Sequence, residues 1–238
     1  MTAIIFDTEA TGLDQPHVIE AAWLRVPDPN NLVPTETFLQ RYNPGKPIAL
    51  GALATHHIMD EDLAACPPHT EFRLPDGIDY LVGYNVDYDW RVIGEPQIRR
   101  ICVMALSRSL FPGLDSYSQS AVLYHLERHR ARELLKNAHS AMQDVENCRI
   151  ILERILRLVF EDLFPSVRSE GREYGLHGDL TWEEVWRRSE LARIPTVMSF
   201  GKHKGIAIKD IPADYKRWLL GQPDVDPYLA KALREVAA

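Results

Sequence analysis

The stretch AIIFDTEATGL, residues 3–13, decides the fold. It opens as an apolar run over residues 3–8, which reads as a buried strand, and TGL with Asp14 then turns it into a loop. Asp7 and Glu9 stand two residues apart at the end of that run. Side chains on a strand repeat with a period of two, so both carboxylates share one face, with Cα atoms about 6.5–7 Å apart. Taken alone, such a D-x-E is equally compatible with solvated acids or with helix caps.

Working outward, VIEAAWLRV (18–26) reads as a second strand, stopped by Pro27 and the turn-forming DPNN. TETFLQRYN (35–43) makes a third, closed by Pro44 and Gly45, and YLVGY (80–84) and RICVM (100–104) a fourth and fifth. Three strands in succession, then strands alternating with helices, predict an α/β fold with a mixed five-stranded sheet covered by helices. A long helix starts near residue 140, where Ser140 and Gln143 form an S-x-x-Q capping box. Val145, Cys148, Leu152, Ile155 and Val159 recur at helical spacing behind it, so one face is buried. A polar, glycine-bearing stretch follows, and Thr181 with Glu184 forms a second capping box. The expected organisation is a first domain over 1–165, a linker over 166–180 and a small C-terminal module over 181–238.

Composition narrows the class. The 238 residues are 45% hydrophobic and 26% charged, as in ordinary globular chains. No apolar run approaches the roughly 18 residues of a membrane span, and MTAIIFD lacks the basic start of a signal peptide. Three widely spaced cysteines without a CxxC argue against a disulfide framework or structural zinc. A cytoplasmic protein is the expectation. The net charge of −7 excludes a protein that coats nucleic acid by bulk positive charge, but not one that handles it through a small basic patch or bound metal.

Two further acids join the first pair. Asp144 sits in the first turn of the long helix, beside its buried stripe, where it faces the sheet and also suits the helix dipole. Asp89, in GYNVDYD, follows the fourth strand, and ligands of open α/β sheets bind at such strand ends. Two unit charges about 4 Å apart repel by about 4 kcal/mol at an effective dielectric near 20. Four converging carboxylates are therefore untenable unless protonated or neutralised by cations. An all-oxygen set suits Mg²⁺ or Mn²⁺, and two such ions form the clamp used in phosphodiester hydrolysis. His139, just before the Ser140 cap, is either an ordinary surface histidine or a neutral imidazole able to take a proton from water.

In register, Asp7-x-Glu9, Asn85-x-x-Tyr88-Asp89 and His139-x-x-x-x-Asp144 resemble the D-x-E, N-x-x-(F/Y)-D and H-x4-D motifs of the DEDDh exonuclease family. DTEATGL (7–13), VIEAA (18–22) and ALATHHI (52–58) extend the resemblance, which covers about residues 3–160. Tyr84 stands where a histidine is common, and Asp87 is an additional acid. The resemblance implies a ribonuclease H-like fold and hydrolysis of DNA from the 3′ end to nucleoside 5′-monophosphates, in DNA repair or end processing. It implies that Asp7, Glu9, Asp89 and Asp144 hold two Mg²⁺ (or Mn²⁺), that Asp7 bridges them, and that His139 is the general base. Thr11, Leu13, Asn85 and His56 would then line the terminal-nucleotide pocket. The partners implied are single-stranded or duplex 3′ ends of DNA, with RNA and a homodimer left open. An exoribonuclease, a polymerase proofreading subunit and a non-catalytic nucleic-acid-binding protein are the alternatives.

The tail, SFGKHKG (199–205) and DYKRWLL (214–220), resembles a short C-terminal module of bacterial members, expected to be α+β. Arg193, Lys202, Lys204, Lys209, Lys216 and Arg217 outnumber Asp210 and Asp214 there, with Phe200, Tyr215 and Trp218 interleaved. This pattern fits a phosphate-gripping patch that includes Lys202 and Lys204. It fits equally a plain turn with Trp218 in the core.

Overall fold

The computed structural model describes residues 1–136, 140–163 and 180–235. Two compact units divide the chain, Met1–Ser189 and Glu190–Ala238.

The first unit is built on a five-stranded sheet of order β3-β2-β1-β4-β5. Its strands are β1 (Ala3–Ala10), β2 (Val18–Val26), β3 (Glu36–Arg41), β4 (Tyr80–Gly83) and β5 (Arg99–Cys102). β2 runs antiparallel to both β1 and β3, whereas β4 is parallel to β1 and to β5. This is the mixed sheet expected of the ribonuclease H-like fold. The central strand is covered on both faces, so Ile4, Ile5 and Phe6 are all buried and read as one apolar run rather than an alternation. β1 continues past the expected end at Thr8, because Asp7, Thr8 and Glu9 still pair with Ala22, Ala21 and Glu20 across β2. A bulge between Glu9 and Ala10 then ends the regular register.

Helices α1 (Leu50–His56), α2 (Asp60–Leu63), α3 (Val86–Val92), α4 (Val103–Leu110), α5 (Gln119–Leu126) and α6 (Ala131–Leu134) connect and flank the strands. α7 (Ala141–Leu163) lies across β1 and β2. Its buried stripe is Ala141, Val145, Cys148, Ile151, Leu152, Ile155, Leu156 and Val159, the expected face extended by three residues. At its start Ser140 Oγ accepts the Gln143 N–H at 3.4 Å. The Gln143 amide turns forward to Asn147 at 3.2 Å instead of back to the cap.

The capping box at Thr181 is reciprocal: Glu184 N–H donates to Thr181 Oγ1 at 3.3 Å and Thr181 N–H to the Glu184 carboxylate at 2.8 Å. It opens α8 (Trp182–Ala192). Up to Ser189 this helix belongs to the first unit. There Trp182 is buried with its indole N–H on the Pro27 carbonyl at 3.1 Å, and Ser189 Oγ accepts the Cys102 N–H at 2.8 Å. The stretch read as a linker, 166–180, lies outside the described residues as far as 179.

The second unit adds α9 (Ala213–Leu220) and α10 (Pro227–Glu235) around a core of Met198, Ile208, Ile211, Leu219, Leu229, Ala232 and Leu233. Its β component is confined, among the described residues, to one antiparallel bridge between Val197 and Ala207. Among the described residues no helix is long and apolar enough to cross a membrane.

Candidate active site

Alternation along β1 turns Asp7 and Glu9 to one face, and the first turn of α7 brings Asp144 against them. One carboxylate oxygen from each of Asp7, Glu9 and Asp144 lies within 4.8 Å of the others. Asp89, on α3, is buried and fixed from β1: its Oδ1 accepts the Thr8 N–H at 3.0 Å and the Thr8 hydroxyl at 2.7 Å. Thr8 thus ties the strand that carries two of the acids to the helix that carries another.

Burial is the main force on these groups, and mutual repulsion adds to it. Burial, then Asp89, Glu9, Asp144 and Glu20, hold Asp7 well above the usual carboxylate range. Glu9 is pushed up to about 8 by burial, then by Asp144, Glu20 and Asp89. Asp89 reaches about 7, because burial outweighs the two hydrogen bonds from Thr8 that favour its anion. Carboxylates in such a setting stay protonated near neutral pH unless a cation neutralises them. The donor set, all carboxylate oxygen, fits a hard divalent ion of the Mg²⁺ or Mn²⁺ kind.

This gives a pH prediction. The folded pKa values of Asp89 (about 7) and Glu9 (about 8) lie above their unfolded values, ~3.9 and ~4.3. Their contribution to stability is complete below the unfolded values and is lost as pH rises through the folded ones. Melting curves in chelator should therefore shift to lower temperature between pH 6 and pH 9. Excess Mn²⁺ should remove that shift, and a pH-independent melting temperature in chelator would contradict the clustered-acid picture.

Glu20 is a site residue that the motifs do not reveal. It lies opposite Glu9 on β2 and is buried. Its Oε1 accepts the Ala141 N–H at 3.1 Å and its Oε2 the Arg41 Nε–H at 2.8 Å. The carboxylate therefore anchors the first residue of α7, one turn before Asp144. An acid inside the apolar run VIEAAW was the available signal, since a buried charge needs partners. Glu20→Ala removes hydrogen bonds to a charged group worth roughly 1.5–3 kcal/mol each. Both melting temperature and turnover should drop, with Glu20→Gln closer to wild type in melting because it keeps an acceptor for Ala141.

The loop after β1 is clamped on two sides. Thr11 is buried; its N–H donates to the His17 carbonyl at 3.0 Å, and its Oγ1 accepts the His17 N–H at 3.1 Å. Its carbonyl accepts the Ala49 N–H at 2.8 Å. Gly12 has φ +149°, and a Cβ there would sit 3.1 Å from that of Ala49. The Tyr88 hydroxyl donates to the Gly12 carbonyl at 3.0 Å, a role for the motif tyrosine beyond spacing. Leu13, 88% exposed, is left projecting from this clamp.

Asn85 is exposed at the N-terminal cap of α3. His56 is buried, its Nδ1 accepting the Ile58 N–H at 3.0 Å, and burial lowers its pKa. His57 is exposed at the left-handed cap of α1. Asp87 pairs with Arg100. The Tyr84 hydroxyl donates to the Tyr117 carbonyl at 3.0 Å. His139 lies outside the described residues. Lys202 and Lys204 are exposed on the second unit.

Known proteins share this architecture. The sequence model of the Exonuclease family matches residues 4–152. Exodeoxyribonuclease 10 of Escherichia coli (strain K12) is 27% identical over 242 residues, covering 97% of this chain and 96% of that protein. Among solved structures, Exonuclease X in complex with 5′ overhanging duplex DNA aligns with a TM-score of 0.48 at 27% identity, over 66% of this chain and 92% of that one. The cell-death related nuclease 4 (CRN-4) aligns with a TM-score of 0.50 at 16% identity, over 66% and 64% of the two chains, a likeness of fold.

Proposed function

The chain belongs to the Exonuclease family, and from that premise we propose that it hydrolyses DNA from the 3′ end and releases nucleoside 5′-monophosphates. The observation that carries this reading is the half-buried cluster of Asp7, Glu9 and Asp144, whose oxygens lie within 4.8 Å of one another. The exodeoxyribonuclease relative supports DNA as the substrate. Asp7, Glu9, Asp89 and Asp144 would hold two Mg²⁺ (or Mn²⁺), with Asp7 shared between them. The bound cations would neutralise the carboxylates and polarise the scissile phosphate.

His139 takes a proton from the attacking water as its oxygen bonds to phosphorus. The bond from phosphorus to the 3′ oxygen of the preceding nucleotide breaks, and that oxygen leaves with the electron pair and is protonated by solvent. Leu13 offers an apolar surface to the terminal base. Thr11 shapes the loop that carries it, with Asn85 and His56 at the same pocket, and Lys202 and Lys204 contact substrate phosphates. We place the activity in DNA repair or end processing in the cytoplasm.

The test is a time course on end-labelled single-stranded DNA, duplex DNA and RNA, with Mg²⁺ or with chelator. Stepwise shortening of DNA from the 3′ end, with mononucleotide product and only with the divalent ion, is expected. Full activity in excess chelator would overturn the two-metal reading. Preferential shortening of RNA would reassign the substrate.

A further inference from the structure

The second unit leaves a large aromatic side chain in water. Trp218 is 55% exposed and Phe200 48%, although the unit has an apolar core of its own. On α9 the neighbour Leu219 faces that core, and Trp218, about 100° round the helix, is turned to solvent. The packing role that the sequence allowed for Trp218 is thus filled by Leu219. Exposed apolar surface concentrated at one place marks an interaction site more often than a monomer surface.

Trp218 does not stand alone. Its ring centroid lies 5.3 Å from that of Tyr215, and Tyr215 lies 4.5 Å from His203, so the rings form a continuous row. The Lys202 ammonium sits 5.0 Å from the Tyr215 ring. The turn carrying Lys202, His203 and Lys204 is seated directly on Tyr215: Gly201 has φ +68°, and a Cβ there would meet the tyrosine hydroxyl at 2.9 Å. Not every basic residue of the tail is available. Lys216 is buried with Nζ on the Lys209 carbonyl at 3.2 Å, and Arg193 binds the Tyr228 hydroxyl at 2.8 Å. Lys202, Lys204, Lys209 and Arg217 remain exposed.

We propose that this surface, the ring row His203–Tyr215–Trp218 flanked by Lys202 and Lys204, is a metal-independent docking site for single-stranded DNA. An exposed indole face braced by the rings behind it, with cations near the row, suits a flexible polyanion that carries flat bases. Duplex DNA hides its base faces, and an apolar protein partner would have to desolvate the Lys202 ammonium. The inference rests on the nuclease reading for the identity of the strand and adds a contact to which that reading assigns no residue beyond the two lysines.

The experiment is anisotropy of a labelled twelve-residue oligothymidylate with the full chain in chelator, where nothing is hydrolysed. Stacking of one base is worth roughly a 5- to 150-fold change in Kd, so Trp218→Ala and Trp218→Leu should weaken binding by that factor and Trp218→Phe by much less. The leucine variant keeps the apolar bulk and guards against a folding effect, which the melting temperature reports. Replacing Lys202 and Lys204 by alanine should make the log–log salt dependence shallower by roughly 0.7 for each phosphate that is no longer neutralised. Unchanged Kd in Trp218→Ala and an unchanged slope in the lysine variant, at wild-type melting temperature, overturn the proposal and leave the patch to a protein partner. Wild-type hydrolysis of a dinucleotide is scored separately, so failure of the nuclease reading is distinguished from failure of the surface.

Discussion

Asp7→Asn and Asp144→Asn each bring hydrolysis down by at least about 10³-fold, since several kcal/mol of charge stabilisation at the phosphate is removed and ~1.4 kcal/mol is tenfold in rate. Asparagine keeps the size and one oxygen of the side chain and removes only the charge, so the loss reports electrostatics rather than shape. The same substitution should act in the opposite direction on stability. Asp7 is held well above the ordinary carboxylate range by burial and by Asp89, Glu9 and Asp144, so its ionised form strains the cation-free fold. In chelator at pH 8, Asp7→Asn should melt above wild type, and Mg²⁺ should raise the melting temperature of wild type more than that of the variant. Turnover near wild type in either variant would remove these acids from the site.

His139→Ala should slow hydrolysis by ~10²–10⁴-fold while DNA and divalent ions still bind, because a positioned base contributes about that much. The sign with pH follows from the base having to be neutral. Below the imidazole pKa, nominally ~6.5, it is protonated, and wild-type rates should fall as pH drops through that value. The alanine variant should lose that inflection. A retained inflection with near-normal rate would transfer the role to another group.

The features legible in the sequence are those set by local repetition. Period two along residues 3–9 put Asp7 and Glu9 on one face, and spacings of three and four put Asp144 beside the stripe that packs on β1 and β2. The supports of those acids were not legible, because each is a contact between distant segments. Thr8 meets Asp89 across 81 positions and Ala141 meets Glu20 across 121. Such pairs depend on strand order, which no short window encodes. The two capping boxes differ for a local reason: one pattern closes reciprocally at Thr181, while at Ser140 the glutamine bonds Asn147 four residues further on. Trp218 was ambiguous because a single aromatic at helical spacing looks alike from either side of the helix.

The central strand that carries Asp7 and Glu9 is made first, yet Asp144 and the helix anchored on Glu20 follow far behind it. At ~5–20 residues per second, a ribosome needs roughly 7–27 s to go from Glu9 to Asp144. During that interval the nascent chain gains Asp89 but still lacks Asp144, the acid that closes the cluster. A chain that stops short of its long helix therefore lacks Asp144 and cannot complete the acid cluster.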